Sequence, residues 1–289
     1  MKKFPSVSIG LPVYNGDCFL REAIESILNQ TFVDFELVIS DNGSTDETEI
    51  LCREYASLDK RIIYVRQDRN IGAVENYRFV LKQARGKYFM WVAADDIWDR
   101  EWVEKLFTLA SENQVIAMGS VKAIDEQGRL IWHPANQRIL SYTGLKILRR
   151  IKFYVEPGVL GKANTIYSLA LTKVFREHDV FSVHIIPGLL EWLGTYQIKS
   201  DSTTFIYKRI HRSSMSEEIN KLIYGGQDRG QFRKIYDKVK EIILPTPVLY
   251  WSKLDFFEKL IFPIIYTVAL VWGAIMSIRV YLSNRKRGN

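Results

Sequence analysis

Two adjacent carboxylates, Asp95 and Asp96, follow directly on an aromatic and apolar run in "YFMWVAADDIWD". Two ionised acids side by side at the mouth of a buried strand repel each other, so either one takes up a proton or both share a counter-cation. A divalent ion is the economical solution. Hard oxygen ligands favour Mg²⁺ or Mn²⁺, held by one or two carboxylates together with substrate phosphates. The plainer reading is that Asp96 or Asp99 caps the helix that follows, since Asp is favoured at that position.

Other polar residues with chemical use fall at comparable places. Asp41 and Asn42 in "VISDNGSTD" could exchange hydrogen bonds with a base or ribose, and "RNIGAVEN" supplies Asn70, Gly72 and Asn76, with Gly72 permitting close backbone approach. Three such groups converging on one crevice predict a nucleotide site. Neither GxGxxG nor GxxxxGK[ST] occurs, which argues against a dinucleotide dehydrogenase or a P-loop NTPase.

The elements that must position these groups are legible as a repeat of strand and helix. Apolar runs in "VSIGLPVYNG", "FELVISDNGSTD", "RIIYVRQDRNIG" and "KYFMWVAADD" are followed by helical patterns over residues 17–29, 47–57, 73–84 and 100–111. The alternation predicts right-handed crossovers and a mainly parallel, Rossmann-like sheet flanked by helices. Functional groups then belong at the carboxyl ends of the strands, where Asn15, Asp41, Asp68 and Asp95 fall. Helix capping is the competing explanation for Asp17, Ser44, Thr45 and Asp46.

Composition narrows the class further. The 289 residues are 47% hydrophobic and 25% charged, which is globular. The net charge of +7 suits an anionic partner such as a nucleotide-linked substrate or an acidic membrane surface. The basic residues are dispersed and accompany no nucleic-acid motif, so no nucleic-acid partner is expected. Cys18 and Cys52 form no CxxC pair or zinc spacing, and the short, proline-broken N-terminus is unlike a secretory leader. A reducing, cytoplasmic setting is expected.

The stretches "VSIGLPVYNGDCFLREAIESILNQTF", "DFELVISDNGSTDET" and "NIGAVENYRFVLKQARGKYFMWVAADDIW" together resemble the family 2 glycosyltransferases of GT-A fold, in the same order and at similar spacing, across roughly the first 115 residues. The resemblance implies a nucleotide-sugar donor and inverting transfer of a hexosyl group to an acceptor hydroxyl. Asp95 and Asp96 match the region that binds Mn²⁺ or Mg²⁺ and the donor diphosphate, with Asp96 as the preferred direct metal ligand. Asp41 matches the acid that holds the base, while Pro12, Tyr14 and Asn76 lie where the family lines the nucleotide pocket. One departure stands out: Ala93 occupies the position of the first acid in the family's Asp-Ala-Asp-Asp. Asp96→Ala is expected to leave the fold intact, because the residue lies at a strand end.

The transfer also needs a general base. The family's Glu-Asp pair is absent, and "DVFSVHIIPGLLEWLGTYQI" offers Asp179, His184 and Glu191, of which Glu191 is preferred; a half-exposed helix acid and a structural histidine are the plainer readings. "YKRIHRSSMS" resembles a tail in which a histidine approaches the metal and diphosphate, which implicates His211, with Arg209 and Arg212 free to pair with phosphate oxygens. An ordinary basic loop is the alternative.

Three regions follow from these patterns: a nucleotide-sugar half over residues 1–125, an acceptor and base half over 126–245, and a membrane-associated segment over 246–289. Residues 260–278, "LIFPIIYTVALVWGAIMSI", are uncharged and long enough to span a bilayer. Basic residues after them oppose a simple outward span, which favours a helix lying in the membrane plane. A true span and a helix buried against a second copy are the rivals. The expected location is the cytoplasmic face of the cell membrane, peripheral or monotopic, with a lipid-linked saccharide as acceptor. A non-catalytic nucleotide-sugar-binding scaffold of a polysaccharide assembly complex is the alternative to the enzyme.

Overall fold

The computed structural model of the chain describes residues 4–133, 135–156, 161–181 and 185–211. Its first half alternates strand and helix: β1 (Val7–Val13), α1 (Asp17–Leu28), β2 (Phe35–Asp41), α2 (Thr48–Leu58), β3 (Ile62–Arg66), α3 (Ala73–Gln83) and β4 (Tyr88–Trp91). Then come β5 (Ile97–Trp98), α4 (Trp102–Asn113), β6 (Ile116–Ile124), α5 (Lys146–Val155), a 3-10 helix (Lys162–Tyr167), β7 (Ala170–Leu171), α6 (Thr172–Glu177), α7 (Ile185–Thr195) and β8 (Ile198–Arg209). The four helices read from the first half of the sequence lie within two residues of their expected bounds.

The main sheet has the order β3-β2-β1-β4-β7, with the first four strands parallel and β7 antiparallel to β4. The central strand β1 is buried along its whole length, and so reads as a continuous apolar run instead of an alternation. Gly10 lets α3 come down on that strand, since a Cβ there would stand 2.7 Å from Val80 Cγ2 and 2.9 Å from Phe89 Cζ.

A second sheet of order β5-β8-β6 joins the two halves of the chain. β8 runs parallel to β6 and antiparallel to β5, with a shift of register between Met118 and Ser120. Edge-to-face contacts then carry the core across the halves: Trp91 on β4 meets Phe175 on α6 at 5.0 Å, and Phe175 meets Trp192 on α7 at 5.1 Å. One apolar cluster extends from Val7 to Ile206.

Among the described residues no helix is long and apolar enough to cross a membrane. The hydrophobic stretch 260–278, the whole segment 246–289, His184 and Arg212 lie outside the described residues.

Candidate active site

The acid pair is positioned by two pairings made in succession. β4 lies beside β1, and Val92 N–H donates to Gly10 O at 2.9 Å, which brings the chain to the carboxyl edge of the sheet. The two-residue β5 then pairs antiparallel with β8, Ile97 opposite Tyr207 and Trp98 opposite Ile206. Continuing that register sets Asp96 beside Lys208 and Asp95 beside Arg209. The last turn of β8 is thereby delivered to the acids from more than 100 residues away in sequence.

Asp96 is fully buried, and both of its oxygens are engaged. Lys208 Nζ donates to Oδ2 at 2.9 Å, and the Arg209 amide donates to Oδ1 at 3.0 Å. Burial pushes its carboxyl up to about 6 against the pull of Lys208, with Asp95 adding to the rise. Burial favours a neutral amine at Lys208, but Asp96, Tyr167 and Asp95 outweigh it and hold the ammonium well above the ordinary lysine value. Asp96 therefore belongs to the core, contrary to the expectation that it stands clear of it at a strand end, and each of its oxygens already accepts a hydrogen bond.

Asp95 is the outward member of the pair. Its side chain is 29% exposed, and Oδ2 lies 3.0 Å from His211 Nε2. Burial presses its carboxyl upward, yet Lys208 and the His211 contact outweigh this and hold it below the usual carboxylate value. The His211 ring stacks at a tilt on Phe19 of α1, with centroids 5.0 Å apart. Arg209, by contrast, is not available to phosphate. It is fully buried, donating from Nε to Asp95 O at 3.0 Å, from Nη1 to Glu126 O at 2.9 Å and from Nη2 to Glu22 Oε2 at 2.8 Å, with its guanidinium over the Phe19 ring. It pins the loop that carries Asp95 to α1 and to the end of β6.

On the nucleotide side, Tyr14 and Asn15 are exposed at the end of β1, whereas Pro12 is buried within that strand. Asn15 has a positive φ of 49°, and its Oδ1 accepts the Thr45 amide at 2.9 Å. The amides of Asn15, Gly16 and Asp17 are taken by Ser44 Oγ, Thr48 Oγ1 and Asp46 Oδ2 at 2.9, 2.9 and 3.2 Å. Ser44 and Asp46, expected as caps, thus join Thr48 in satisfying the start of α1, and that helix start is no open anion cradle.

Asp41 is fully buried and accepts from the Ser44 amide at 2.8 Å and from Tyr64 Oη at 3.0 Å, with Arg66 Nε at 3.3 Å. Burial and the Asp41 contact together raise the Tyr64 hydroxyl. Gly43, at φ 70°, turns the chain so closely under residues 69 and 70 that a Cβ would meet Arg69 Cα at 3.1 Å. That turn brings Asn42 to Asn70, Nδ2 donating to Oδ1 at 3.0 Å, and Asn42 Oδ1 accepts the Ile71 amide at 2.8 Å. Asn76 is also buried: its Oδ1 accepts from Ser40 Oγ at 2.6 Å and its Nδ2 donates to Ser40 O at 2.9 Å. It clamps α3 under β2, beneath the strand ends. Lys208, Tyr64 and Arg66 were not singled out from sequence; the alternation in "FIYKRIH" is the signal that could have turned Lys208 inward.

Of the base candidates, Asp179 is held by Arg78, whose Nε donates to Oδ2 at 3.0 Å, and it accepts the Phe181 amide at 2.9 Å. Glu191 is partly exposed on α7, on the stripe shared with Gly194 and Thr195, while its neighbours Leu190, Trp192 and Leu193 are buried.

The metal question turns on Asp95 and His211. Among the described residues no group of three or more His, Cys, Asp and Glu is gathered as a metal cluster. A partly exposed carboxylate oxygen beside an imidazole nitrogen nonetheless fits Mn²⁺ or Mg²⁺, provided that phosphate oxygens and water complete the shell.

A parallel sheet of this order, with acids at its carboxyl edge and a returning strand that brings a histidine to them, is an architecture of GT-A type. The profile of glycosyl transferase family 2 matches residues 8–174, and the chain belongs to that family. An uncharacterised glycosyltransferase of Rickettsia bellii is 28% identical over 228 residues, 75% of this chain and 31% of the relative. Glycosyltransferase GlyA of Streptococcus pneumoniae is 33% identical over 129 residues, 44% of this chain and 18% of the relative. The chain spans about a third of the length of the first curated relatives it matches. The S. aureus TarS 1–349 structure in complex with UDP-GlcNAc superposes with a TM-score of 0.59 at 17% identity, covering 88% of this chain and 77% of that one. Its complex with UDP gives 0.58 at 15% identity, covering 98% and 92%. At such identity the likeness is one of fold.

Proposed function

We propose that the protein is an inverting glycosyltransferase that moves a hexosyl group from a UDP- or dTDP-sugar to a hydroxyl of a lipid-linked saccharide in bacterial surface-polysaccharide synthesis. The observation that carries this reading is the approach of His211 to Asp95 at the carboxyl edge of the parallel sheet. The uridine complexes of TarS favour UDP over dTDP.

In this reading Tyr14, Asn15 and the turn held by Asp41, Asn42 and Asn70 receive the nucleoside, with Pro12 and Asn76 shaping the floor. Asp95 and His211 would hold Mn²⁺ or Mg²⁺, which would supply stabilisation of the charge on the departing diphosphate. Asp96 with Lys208 fixes the loop behind Asp95, and Arg209 fixes its backbone. Glu191 takes the proton of the attacking hydroxyl. Residues 1–125 then serve chiefly the donor, and 126–245 the acceptor and the base.

A membrane location is supported by the uncharged stretch 260–278 and by the start of α5, where Leu145 at the N-cap and Leu148 in the first turn stand 71% and 58% exposed beside Lys146. The location inferred is the cytoplasmic face of the cell membrane, peripheral or monotopic. The test is release of UDP from UDP-sugars by detergent-purified protein with a lipid-linked saccharide, in Mn²⁺ and in EDTA. Release that needs both metal and acceptor supports the reading, and absence of release with every donor and acceptor pair sinks it. The second reading, a nucleotide-sugar-binding scaffold, rests on the buried Ala93 in place of an acid; it predicts metal-dependent binding of UDP-sugar with no turnover.

A further inference from the structure

α5 is built inside out: its inward side carries arginines and its outward side is apolar, the reverse of an ordinary surface helix. Arg149 and Arg150 are buried beside Phe153 and Tyr154, while Leu145 at the N-cap and Leu148 are exposed. Ile151 and Val155 continue the outward stripe at helical spacing and are half-buried. The inversion has a local cause. Arg149 donates from Nε to Leu193 O at 2.6 Å, from Nη1 to Gly144 O at 2.9 Å and from Nη2 to Gly194 O at 3.3 Å. Its guanidinium thereby closes carbonyls in the last turn of α7, which a leucine could not do, and the leucines are left outside. Ile50 on α2 is as exposed, at 66%, but Asp46, Glu47, Arg53 and Glu54 stand one turn from it, so no apolar stripe forms there.

We propose that α5 is the helix by which the chain lies on an anionic bilayer, so that the acceptor half faces the lipid. The inference rests on the membrane-associated reading above, and adds to it which face docks. Charge selects the occupant. α5 contains no acid, and Lys152, one turn on from Leu148, shares the stripe; its Nζ donates to Ser141 O at 2.7 Å and has no carboxylate partner among the described residues. A second copy of α5 would add lysines and no acid, and the stretch 260–278 carries no carboxylate to meet them. An anionic lipid surface supplies both needs, acyl chains for the leucines and phosphate for an ammonium at the end of an apolar stem. The consequence is one of orientation. Arg149 ties α5 to the end of α7, the helix that carries Glu191, so the base candidate stands on the side from which a lipid-linked saccharide arrives.

The experiment places an environment-sensitive fluorophore on the full chain at one of two exposed positions, through L148C or I50C in a C18S background, Cys52 being buried. Each labelled protein is mixed with vesicles of phosphatidylglycerol and phosphatidylcholine, and with vesicles of phosphatidylcholine alone. The label at position 148 should shift to the blue on anionic vesicles and be quenched by nitroxide-bearing lipid, and the label at position 50 should do neither. Half-maximal shift should need at least about threefold more lipid when the vesicles are neutral. Several results would overturn the proposal. A label at 148 that stays in water while the protein floats with the vesicles leaves membrane association to other residues and removes α5. An equal shift at 50 shows that no particular face docks. A label at 148 already shifted without lipid means that the stripe is covered by protein, by a second copy if dilution reverses the shift and by the chain's own residues if it does not. Failure to float with any vesicle removes the membrane-associated reading itself, and the proposal with it.

Discussion

His211 Nε2 lies 3.0 Å from Asp95 Oδ2, although 116 positions of chain separate the two residues. The contact exists because β8 is pinned twice before it reaches the acids, by its pairing with β5 and by Arg209, which binds the Asp95 carbonyl and Glu22. A carboxylate and an imidazole fixed in this way are organised before any ligand arrives, so little ordering cost remains at binding.

Asp95→Asn and His211→Ala should therefore fold as wild type and lose function. Both side chains reach the crevice, and neither is enclosed in the core. Each variant should lower metal-dependent UDP affinity at least about tenfold and turnover on the order of 10²-fold or more. In EDTA the variants and wild type should bind UDP alike. Calorimetry with and without Mn²⁺ checks both statements, and unchanged metal dependence in either variant contradicts the assignment.

Asp96→Ala should behave differently. It leaves the Lys208 ammonium buried without its partner, which costs about 3–5 kcal/mol of stability. Urea unfolding measures this directly. A variant as stable as wild type would show that water or another group solvates Lys208.

Asp41→Ala should weaken nucleotide binding through the turn it supports. Loss of the acceptor for the Ser44 amide and Tyr64 Oη releases the loop that sets Asn42 against Asn70, and costs about 2–3 kcal/mol of stability. Tyr64→Phe removes one bond alone and should cost about 1 kcal/mol, with a change in UDP affinity below about threefold. Equal UDP affinity in Asp41→Ala and wild type would remove Asp41 from the site.

His133 makes stability depend on pH away from the site. Burial holds its imidazole down to about 4, and Nδ1 accepts the Ala135 amide at 3.1 Å. In the unfolded chain it titrates near about 6.5, so between these values the unfolded state binds a proton that the native state lacks. The contribution is therefore complete above about pH 6.5 and is lost as pH falls toward 4. Allowing for partial exposure, wild type should lose about 1–2 kcal/mol relative to His133→Gln over that range. Parallel stability profiles for the two proteins would contradict it.

The first half of the molecule was legible because β1, β2 and β4 are buried along their whole length as largely apolar runs and each helix shows its own period. The strand ends named from sequence, at Asn15, Asp41 and Asp95, do lie on one edge of the sheet. What sequence could not supply was direction. Asp95 and Asp96 are equivalent as a dipeptide, and only the pairing of Ile97 with Tyr207 decides that Asp96 turns inward and Asp95 outward. Arg209 read as a free basic residue, because nothing local signals that Glu22 and two distant carbonyls surround it. The two-residue β5 is too short for any periodicity, yet it sets the register of the site. Asn76, expected at the nucleotide pocket, also clamps α3 to β2, a role that depends on the crossover geometry of three elements.

The most direct measurement is titration of UDP into the detergent-purified wild-type protein, once in Mn²⁺ and once in EDTA, with His211→Ala alongside. The account predicts binding in Mn²⁺ that falls at least about tenfold in EDTA, and no such difference in His211→Ala. UDP binding of equal strength in Mn²⁺ and EDTA, or full metal dependence without His211, would contradict the central claim that Asp95 and His211 together receive the metal and the diphosphate.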